Sequence, residues 1–328
     1  MLDLFKNLGV TLMQLVNTKE MLKRAYMGKY AIGAFNVCNM EIIQGISVAC
    51  KETKSPVIFQ ISSGAKNYAG NKYLIEMVKI AVTEMEIEAA LHLDHGNSFE
   101  LCKDCIDSGF TSVMIDGSAL SFEENIKLTS AVVEYARKYN VSVEAELGRL
   151  CGTEEHVPCA GKDSPFTDPL QVKEFVTKTG VDSLAIAIGT SHGINKFGPN
   201  TVPNLRFDIL QKVNDILPDF PIVLHGASSI DQKTIKEIKA YGSNINFARG
   251  IPEKMLNEAA KMAVCKINID SDLRLAITLA IKKFMNENPE NFDPRSYFSA
   301  SRNAVTYLVK NKIRNVLNCE NTSKYLQK

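Results

Sequence analysis

Short apolar segments rich in β-branched residues alternate along the chain with amphipathic segments of helical period. The apolar segments predict eight strands, over residues 31–37, 56–62, 89–94, 112–118, 141–147, 183–189, 221–227 and 265–270. Amphipathic helices are predicted between them, for example over residues 41–53, 73–85 and 122–139. Strands that alternate with helices pair in parallel, and eight such units are what a closed barrel requires. We therefore predict an α/β fold of the (β/α)8 TIM barrel type.

A doubly wound open sheet is the alternative architecture. It usually contains fewer strands, and no GxGxxG motif follows the first predicted strand. Two connections, residues 148–170 and 190–206, are unusually long, and long loops without their own structure often close over a site.

Neither a repeat nor a linker divides the chain, so we predict one barrel domain over residues 1–328. Within it, residues 1–12 are a candidate N-terminal extension, and residues 288–328 form a C-terminal helical segment that packs on the barrel or on a neighbouring subunit.

Composition excludes several classes of partner. The formal net charge is +1 and no block of five or six like charges occurs, so we expect neither nucleic acid nor a membrane surface as a partner. We expect no secretory signal, because the N-terminal residues lack a basic region followed by an apolar one. The eight cysteines have no regular spacing, which favours free thiols and a cytoplasmic location. The single CxxC pair, Cys102 and Cys105, lies in a helical setting and is expected to have no redox or metal role.

Polar residues cluster where the predicted strands end, which is where barrel enzymes carry their chemistry. Three histidines at such ends, His95, His192 and His225, are each followed by glycine. Three imidazoles on separate strands suit a catalytic zinc ion, which takes three protein ligands and leaves one position open. Hydrogen-bonded histidines without a metal are the alternative, and three together favour the metal. His92 shares a strand face with Asp94 but lies two residues deeper, so we expect it to be packed and to orient its neighbours.

The ends of the last two strands predict a phosphate site. HGASS (225–229) and INIDSD (267–272) supply glycine, hydroxyl groups and backbone amides where barrels commonly bind phosphate. Arg274 and Lys196 are candidates for the local positive charge. Ordinary turn chemistry remains the alternative for either loop alone.

Six motifs occur in order at the predicted strand ends: HLDHG, VMIDGS, VEAELG, GTSHG, LHGAS and KINIDSD. Together they resemble the class II (zinc-dependent) fructose-bisphosphate aldolases and the related tagatose-bisphosphate aldolases, from residue 13 to about 317. The resemblance implies reversible cleavage of fructose 1,6-bisphosphate, a step of glycolysis and gluconeogenesis, with the tagatose bisphosphate as the alternative substrate. It also implies a homodimer or homotetramer.

The same resemblance assigns roles to individual residues. Asp94 becomes the acid/base on the C4 hydroxyl, and His95, His192 and His225 become the ligands of one catalytic zinc ion. Asp116 and Glu146 match carboxylates that can hold a second divalent ion or a monovalent cation. The part of the substrate that becomes dihydroxyacetone phosphate is held by Gly193, Gly226, Ala227, Ser228, Asn268, Ile269, Asp270 and Ser271.

The remaining assignments are catalytic and phosphate-contacting residues. Glu154 or Glu155 matches the mobile glutamate that exchanges the proton at the nucleophilic carbon, and Asn268 is also a catalytic candidate. Other positions match substrate or phosphate contacts: Asn36, Ser62, Lys196 and Arg274.

Two positions depart from the family pattern. Ser229 stands where glycine is common, which predicts a slightly redirected phosphate loop. His156 follows the two loop glutamates where an acidic residue is frequent, which predicts a changed pH response of loop closure.

Three other functions fit parts of the pattern. A lysine Schiff base could form on Lys266, but the three histidines would then have no purpose. A zinc-dependent barrel hydrolase begins from an HxH pair after its first strand, whereas this chain has HxxH (92–95) after the third. A non-catalytic sugar-phosphate binder is compatible with the fold, although no catalytic candidate is missing.

Overall fold

The computed structural model of the protein describes residues 14–149, 151–152, 166–193, 203–245 and 248–326. Within these ranges eight parallel strands close into one barrel. They are β1 (Ile32–Asn36), β2 (Val57–Ser62), β3 (Ala89–Gly96), β4 (Ser112–Ile115), β5 (Ser142–Leu147), β6 (Ser183–Ile186), β7 (Ile222–Leu224) and β8 (Val264–Ile269). Each strand pairs with the next along the chain, and β8 pairs with β1. The predicted (β/α)8 barrel is confirmed.

Helices occupy the connections between strands. They are α1 (Thr18–Gly28), α2 (Met40–Thr53), α3 (Ser63–Ala69), α4 (Asn71–Met85), α5 (Phe99–Asp107), α6 (Phe122–Arg137), α7 (Pro169–Thr179), α8 (Phe207–Ile216), α9 (Gln232–Ala240), α10 (Glu253–Ala260), α11 (Ser271–Glu287) and α12 (Pro294–Lys312). Local sequence determines where several of them begin. Ser121 and Glu124 form a reciprocal capping box at the start of α6, which satisfies backbone amides that have no partner within the helix.

The predicted end of the third strand is wrong. The sequence pattern ends the third strand at residue 94, but β3 continues through Gly96. Its pairing with β4 contains a bulge, because three residue steps in β3, from Leu93 to Gly96, match two in β4, from Val113 to Ile115. His95 lies in this bulge with a φ of 52°. The left-handed conformation breaks the alternation of side chains along the strand, so that the neighbouring residues Asp94 and His95 can both point to the mouth of the barrel.

One layer of the barrel interior contains charged and polar side chains. Lys266 on β8, Glu144 on β5 and His92 on β3 are almost completely buried, and these strands are not neighbours in the sheet. Their side chains meet across the barrel: the Lys266 Nζ lies 2.9 Å from Glu144 Oε2 and 3.3 Å from His92 Nε2. A buried ion pair therefore lies directly beneath the mouth, surrounded by apolar layers typical of barrel cores.

The C-terminal segment closes the outside of the barrel next to the first strand. Helix α12 packs against α2 and α11, and a single π-helical turn, Ile313–Leu317, follows it. The carbonyl of Leu317 accepts a hydrogen bond from the Ala31 amide at 2.9 Å. The segment therefore packs on the barrel, one of its two predicted packing partners. Among the described helices, none is both long enough and apolar enough to cross a membrane.

Candidate active site

The carboxyl ends of the strands surround a cavity of about 240 Å³. Predicted site residues line most of it: Asn36, Ser62, Asp94, His95, His192, Gly193, Gly226, Ser228, Asn268, Asp270, Ser271 and Arg274. Gln60, Ser63 and Gly64 also line the cavity and were not predicted. Gln60 could have been found, because it shares a strand face with Ser62 and interrupts an apolar run.

Three imidazoles meet at the floor of this cavity. The ring centre of His95 lies 4.9 Å from that of His192 and 4.6 Å from that of His225. One nitrogen from each ring lies within 4.8 Å of the other two. His95 and His225 lie at the ends of barrel strands, whereas His192 lies in the separate two-residue strand Ser191–His192 that follows β6. Three such nitrogens can coordinate one ion together, and this donor set is the kind that catalytic zinc sites use.

Carboxylates orient two of the three rings. The Nδ1 of His95 lies 2.9 Å from Asp116 Oδ2, which leaves its Nε2 on the side of the other histidines. The Nε2 of His225 lies 2.7 Å from Glu144 Oε1, which leaves its Nδ1 for the cavity side. A carboxylate on the far nitrogen fixes ring orientation and tautomer in metal sites. The residues present therefore fit a zinc ion in both donor type and orientation.

The same contacts change the pKa values of the site. Burial by itself lowers the pKa of His95, but the Asp116 carboxylate and other nearby acids raise it to about 10. Burial raises the pKa of Glu144, yet the Lys266 ammonium and His225 bring it well below its usual range. The pKa of Glu146 is raised by burial and by the charge of Asp116. A raised pKa of His95 means that protons compete with a metal ion for this ligand, which makes metal affinity depend on pH.

A second group of candidate ligands shares one member with the first. Oxygen atoms of Asp116 and Glu146, together with a nitrogen of His95, also lie within 4.8 Å of one another. Glu146 Oε2 is 3.3 Å from His225 Nδ1, so the two groups adjoin. This arrangement could hold a second cation beside the three histidines.

Asp94 is held by two asparagine side chains at the edge of the cavity. Its Oδ2 accepts a hydrogen bond from Asn36 Nδ2 at 2.7 Å, and its Oδ1 accepts one from Asn268 Nδ2 at 3.2 Å. Burial by itself raises the pKa of Asp94, but the charges of His95, His225 and Lys266 lower it below its usual value. The carboxylate is therefore ionised, and it lies 4.0 Å from His95 Nε2. It can accept a proton from a molecule placed over the histidines.

Residues 226–229, which we call the phosphate loop, lie beside the N-terminus of α11. Gly226 has a φ of 57°, and a Cβ there would lie 2.5 Å from the Ser191 carbonyl oxygen, so only glycine fits. The Ser228 hydroxyl accepts a hydrogen bond from the Asp270 amide at 3.4 Å, which joins the loop to the start of α11. Loop amides and a helix N-terminus together form a favourable anion site.

Other predicted residues have different positions. The side chains of Ala227 and Ile269 are buried in the core, so they could contact a ligand only through backbone atoms. Arg274 lines the cavity and pairs with Asp270, with its Nη2 2.6 Å from Oδ2. The predictions for four residues lie outside the described residues: Glu154, Glu155, His156 and Lys196. Burial raises the pKa of the Cys102 thiol to about 12, which makes this thiol unreactive.

Comparisons with known proteins agree on one family. The family model described as "Fructose-bisphosphate aldolase class-II" matches residues 16–322. The fructose-bisphosphate aldolase of Treponema pallidum is 49% identical, over 92% of this chain and 96% of that protein. The fructose-bisphosphate aldolase of Giardia intestinalis is 45% identical, over 92% of this chain and 93% of that protein. The crystal structure of the YdjI aldolase from Escherichia coli K12 superposes with a TM-score of 0.77 at 30% identity, over 95% of this chain and 100% of that one.

Proposed function

Since the chain belongs to the class II fructose-bisphosphate aldolase family, we propose that it cleaves fructose 1,6-bisphosphate reversibly into dihydroxyacetone phosphate and glyceraldehyde 3-phosphate. The observation that carries this proposal is the meeting of His95, His192 and His225 next to the ionised Asp94. A metal-assisted aldol cleavage needs these two components, a cation site and a nearby proton acceptor.

The proposed cofactor is one zinc ion held by the three histidines. Zinc bound there supplies Lewis-acid polarisation of the substrate's ketone group. Three neutral imidazoles leave the ion its full charge, whereas three carboxylates would largely cancel it. Asp116 and Glu146, with His95, are the proposed ligands of a second divalent or monovalent cation.

Asp94 is the proposed acid/base for the C4 hydroxyl. In cleavage the hydroxyl proton moves to the Asp94 carboxylate, a carbonyl forms at C4, and the electrons of the C3–C4 bond remain with C3. Asn36 and Asn268 fix the carboxylate from both sides, so it does not have to be reoriented for the transfer. The proton that later reaches C3 is proposed to come from Glu154 or Glu155 on the long loop.

The phosphate groups of the substrate are proposed to bind among the polar residues that line the cavity. Ser228, Ser271 and the amides at the start of α11 suit the phosphate at C1 of the substrate. Gly193 and Asn268 complete the walls around that half. Asn36 and Ser62 also line the cavity, and Arg274 and Lys196 are proposed to supply positive charge for the phosphate groups.

The Schiff-base alternative is weakened by the position of Lys266. Its ammonium is buried and paired with Glu144 at 2.9 Å, so it does not reach the cavity as a free amine. Tagatose 1,6-bisphosphate stays the alternative substrate, because it differs from the fructose compound only in configuration at C4.

Location and assembly are also proposals. The described cysteines are free thiols, which supports a reducing compartment such as the cytoplasm. A homodimer or homotetramer is supported by large apolar side chains that remain exposed on the C-terminal helices and the connection between them, among them Phe292 and Tyr307.

Steady-state cleavage of both bisphosphates by the purified protein tests the proposal. We expect triose phosphates from fructose 1,6-bisphosphate, with a higher kcat/KM than from the tagatose compound. We also expect that borohydride, added during turnover, traps no covalent adduct. A borohydride-trapped adduct on Lys266, or the absence of any cleavage, would overturn it.

A further inference from the structure

Lys312, the last residue of α12, points away from solvent although it is a lysine. Its side chain is only 4% exposed. Its Nζ lies 2.8 Å from Asp272 Oδ2 and 2.7 Å from Glu253 Oε1, and it also donates a hydrogen bond to Ser229 Oγ. These three partners lie on α11, on α10 and in the phosphate loop. One ammonium group therefore joins the C-terminal helix α12 to α10, to α11 and to the phosphate loop.

Asp272 connects Lys312 to the backbone of the phosphate loop through hydrogen bonds. Its Oδ2 accepts a hydrogen bond from the Ser229 amide at 3.0 Å, and its Oδ1 accepts one from the Ile230 amide at 2.7 Å. Asp272 also lies in the first turn of α11, the helix whose N-terminus faces the cavity. A buried carboxylate with two amide hydrogen bonds sets the direction of both peptide groups, provided that its charge is balanced. Lys312 supplies that balance.

The backbone just after the loop is strained and needs such support. Ile230 has a φ of 51°, a left-handed conformation that is rare for a β-branched residue. Its side chain is buried against Ile235, Ile238 and Leu275. A strained backbone of this kind persists only when several surrounding contacts hold it in place. Here the apolar cluster holds the side chain, and Asp272 holds the amide.

The opposite side of the loop is closed by backbone. A Cβ built on Gly250 would lie 2.1 Å from the Ser228 carbonyl oxygen and 2.5 Å from the Ser229 carbonyl carbon. The Ile251 amide donates a hydrogen bond to the Ser228 carbonyl at 3.3 Å. The loop is thus enclosed between a glycine on one face and the Lys312–Asp272 pair on the other.

We propose that Lys312 is a positioning residue for the phosphate of the substrate, acting through Asp272 and Ser229 on the amides and hydroxyl of the phosphate loop. The proposal rests on the proposed function of that loop. It also gives Ser229 a purpose, because its hydroxyl provides a contact for Lys312 that glycine could not provide. Lys312 touches no substrate in this account and changes only how well the loop is arranged to bind it.

The test replaces Lys312 by methionine, an unbranched side chain one atom shorter, which removes the charge. Removing a ground-state binding interaction raises KM more than it lowers kcat, so we expect KM for fructose 1,6-bisphosphate to rise about ten-fold and kcat to change less than about two-fold. KM for fructose 1-phosphate, which carries only the phosphate at C1, should rise by the same factor. Zinc content should stay unchanged. Lys312→Arg, which keeps the charge, should recover most of the loss.

Lys310→Met is the matched control. It removes a lysine from the same helix, where Lys310 pairs with Glu52 at 2.6 Å on an exposed surface. We expect wild-type KM values from it. Asp272→Asn is the second variant if Lys312→Met does not fold, and it should raise KM for both substrates in the same way. Unchanged KM values in the folded variant, or an equal rise in the control, would overturn the proposal.

Direct binding of inorganic phosphate, measured by calorimetry, separates this proposal from the proposed function. If the wild-type protein cleaves neither sugar phosphate, the aldolase proposal fails on its own. The positioning proposal still predicts that Lys312→Met weakens phosphate binding about ten-fold, a difference of about 1.4 kcal/mol. Equal phosphate affinity in the two proteins would contradict it.

Discussion

The Nε2 atom of His225 lies 2.7 Å from Oε1 of Glu144, deep inside the barrel. The second oxygen of that carboxylate lies 2.9 Å from the Lys266 ammonium. Glu144 therefore stays charged although it is buried. When His225 is neutral, this carboxylate favours the tautomer with its hydrogen on Nε2, which leaves Nδ1 for a metal ion. A proposed metal ligand is thus oriented from below by an ion pair that makes no contact with the cavity.

Glu144→Gln is expected to weaken zinc binding without removing a ligand. The amide lacks the charge that favours the Nε2–H tautomer of His225, and loss of such a partner commonly costs about 10–100-fold in metal affinity. Competition with a fluorescent zinc chelator measures the change. Glu134→Gln is the control, because Glu134 is exposed on α6 and its nearest cation, Lys138, is 4.0 Å away. Equal zinc affinity in Glu144→Gln and the wild-type protein would show that Glu144 does not orient the ligand.

Asp94→Asn is expected to stop proton transfer while the metal remains bound. The substitution keeps the size of the side chain, and loss of a general acid/base typically lowers kcat by about 10²–10⁴-fold. Steady-state kinetics and zinc content are measured on the same preparation. Asp107→Asn, on the exposed end of α5 where Asp107 pairs with Lys103, is the control. A kcat within about two-fold of wild type in Asp94→Asn would remove Asp94 from the mechanism.

His92 is expected to make folding stability fall at acidic pH. Burial and the nearby Lys266 charge lower the pKa of His92 from 6.5 to about 3. Below pH 6.5 the unfolded chain therefore takes up a proton that the folded protein does not, and stability falls as the pH decreases towards 3. One such proton contributes about 1.4 kcal/mol per pH unit.

His92→Gln isolates this contribution. Glutamine can still contact Ser112, which lies 2.8 Å from His92 Nδ1, but it does not titrate. Urea unfolding at two pH values between 5 and 6.5, with zinc in excess, compares the variant with the wild-type protein. Because the histidine of the unfolded chain is only half protonated at pH 6.5, the stability difference between them should change by about 1 kcal/mol per pH unit in this range, in favour of the variant at the lower pH. Parallel pH dependences in the two proteins would mean that His92 has the same pKa in the folded and unfolded states, which would contradict the prediction.

The sequence predicted the barrel and the cluster at its mouth because both follow from local patterns. Strand ends carry the polar residues, and His95, His192 and His225 each lie next to a glycine at such an end. The supporting contacts were not predictable in this way. Lys312 and Ser229 are 83 positions apart, and His225 and Glu144 are 81 apart. Only the packed fold brings these partners together, and no spacing in the sequence indicates which charges pair.

The ends of strands likewise could not be predicted from local sequence alone. The seventh strand was predicted over residues 221–227, yet β7 contains only Ile222–Leu224. The observed strand is shorter because the residues after Leu224 turn into the phosphate loop and no longer pair with the neighbouring strands. The bulge at His95 also depends on pairing with β4, which the residues of β3 alone do not specify.

The central claim is that a metal ion on His95, His192 and His225 is needed for aldol cleavage. The most direct measurement is the rate of fructose 1,6-bisphosphate cleavage after the protein has been stripped with EDTA, and again after zinc is added back. We predict that stripping abolishes cleavage and that about one equivalent of zinc per chain restores it. Full activity in the stripped protein, with no zinc detected by elemental analysis, would contradict the account.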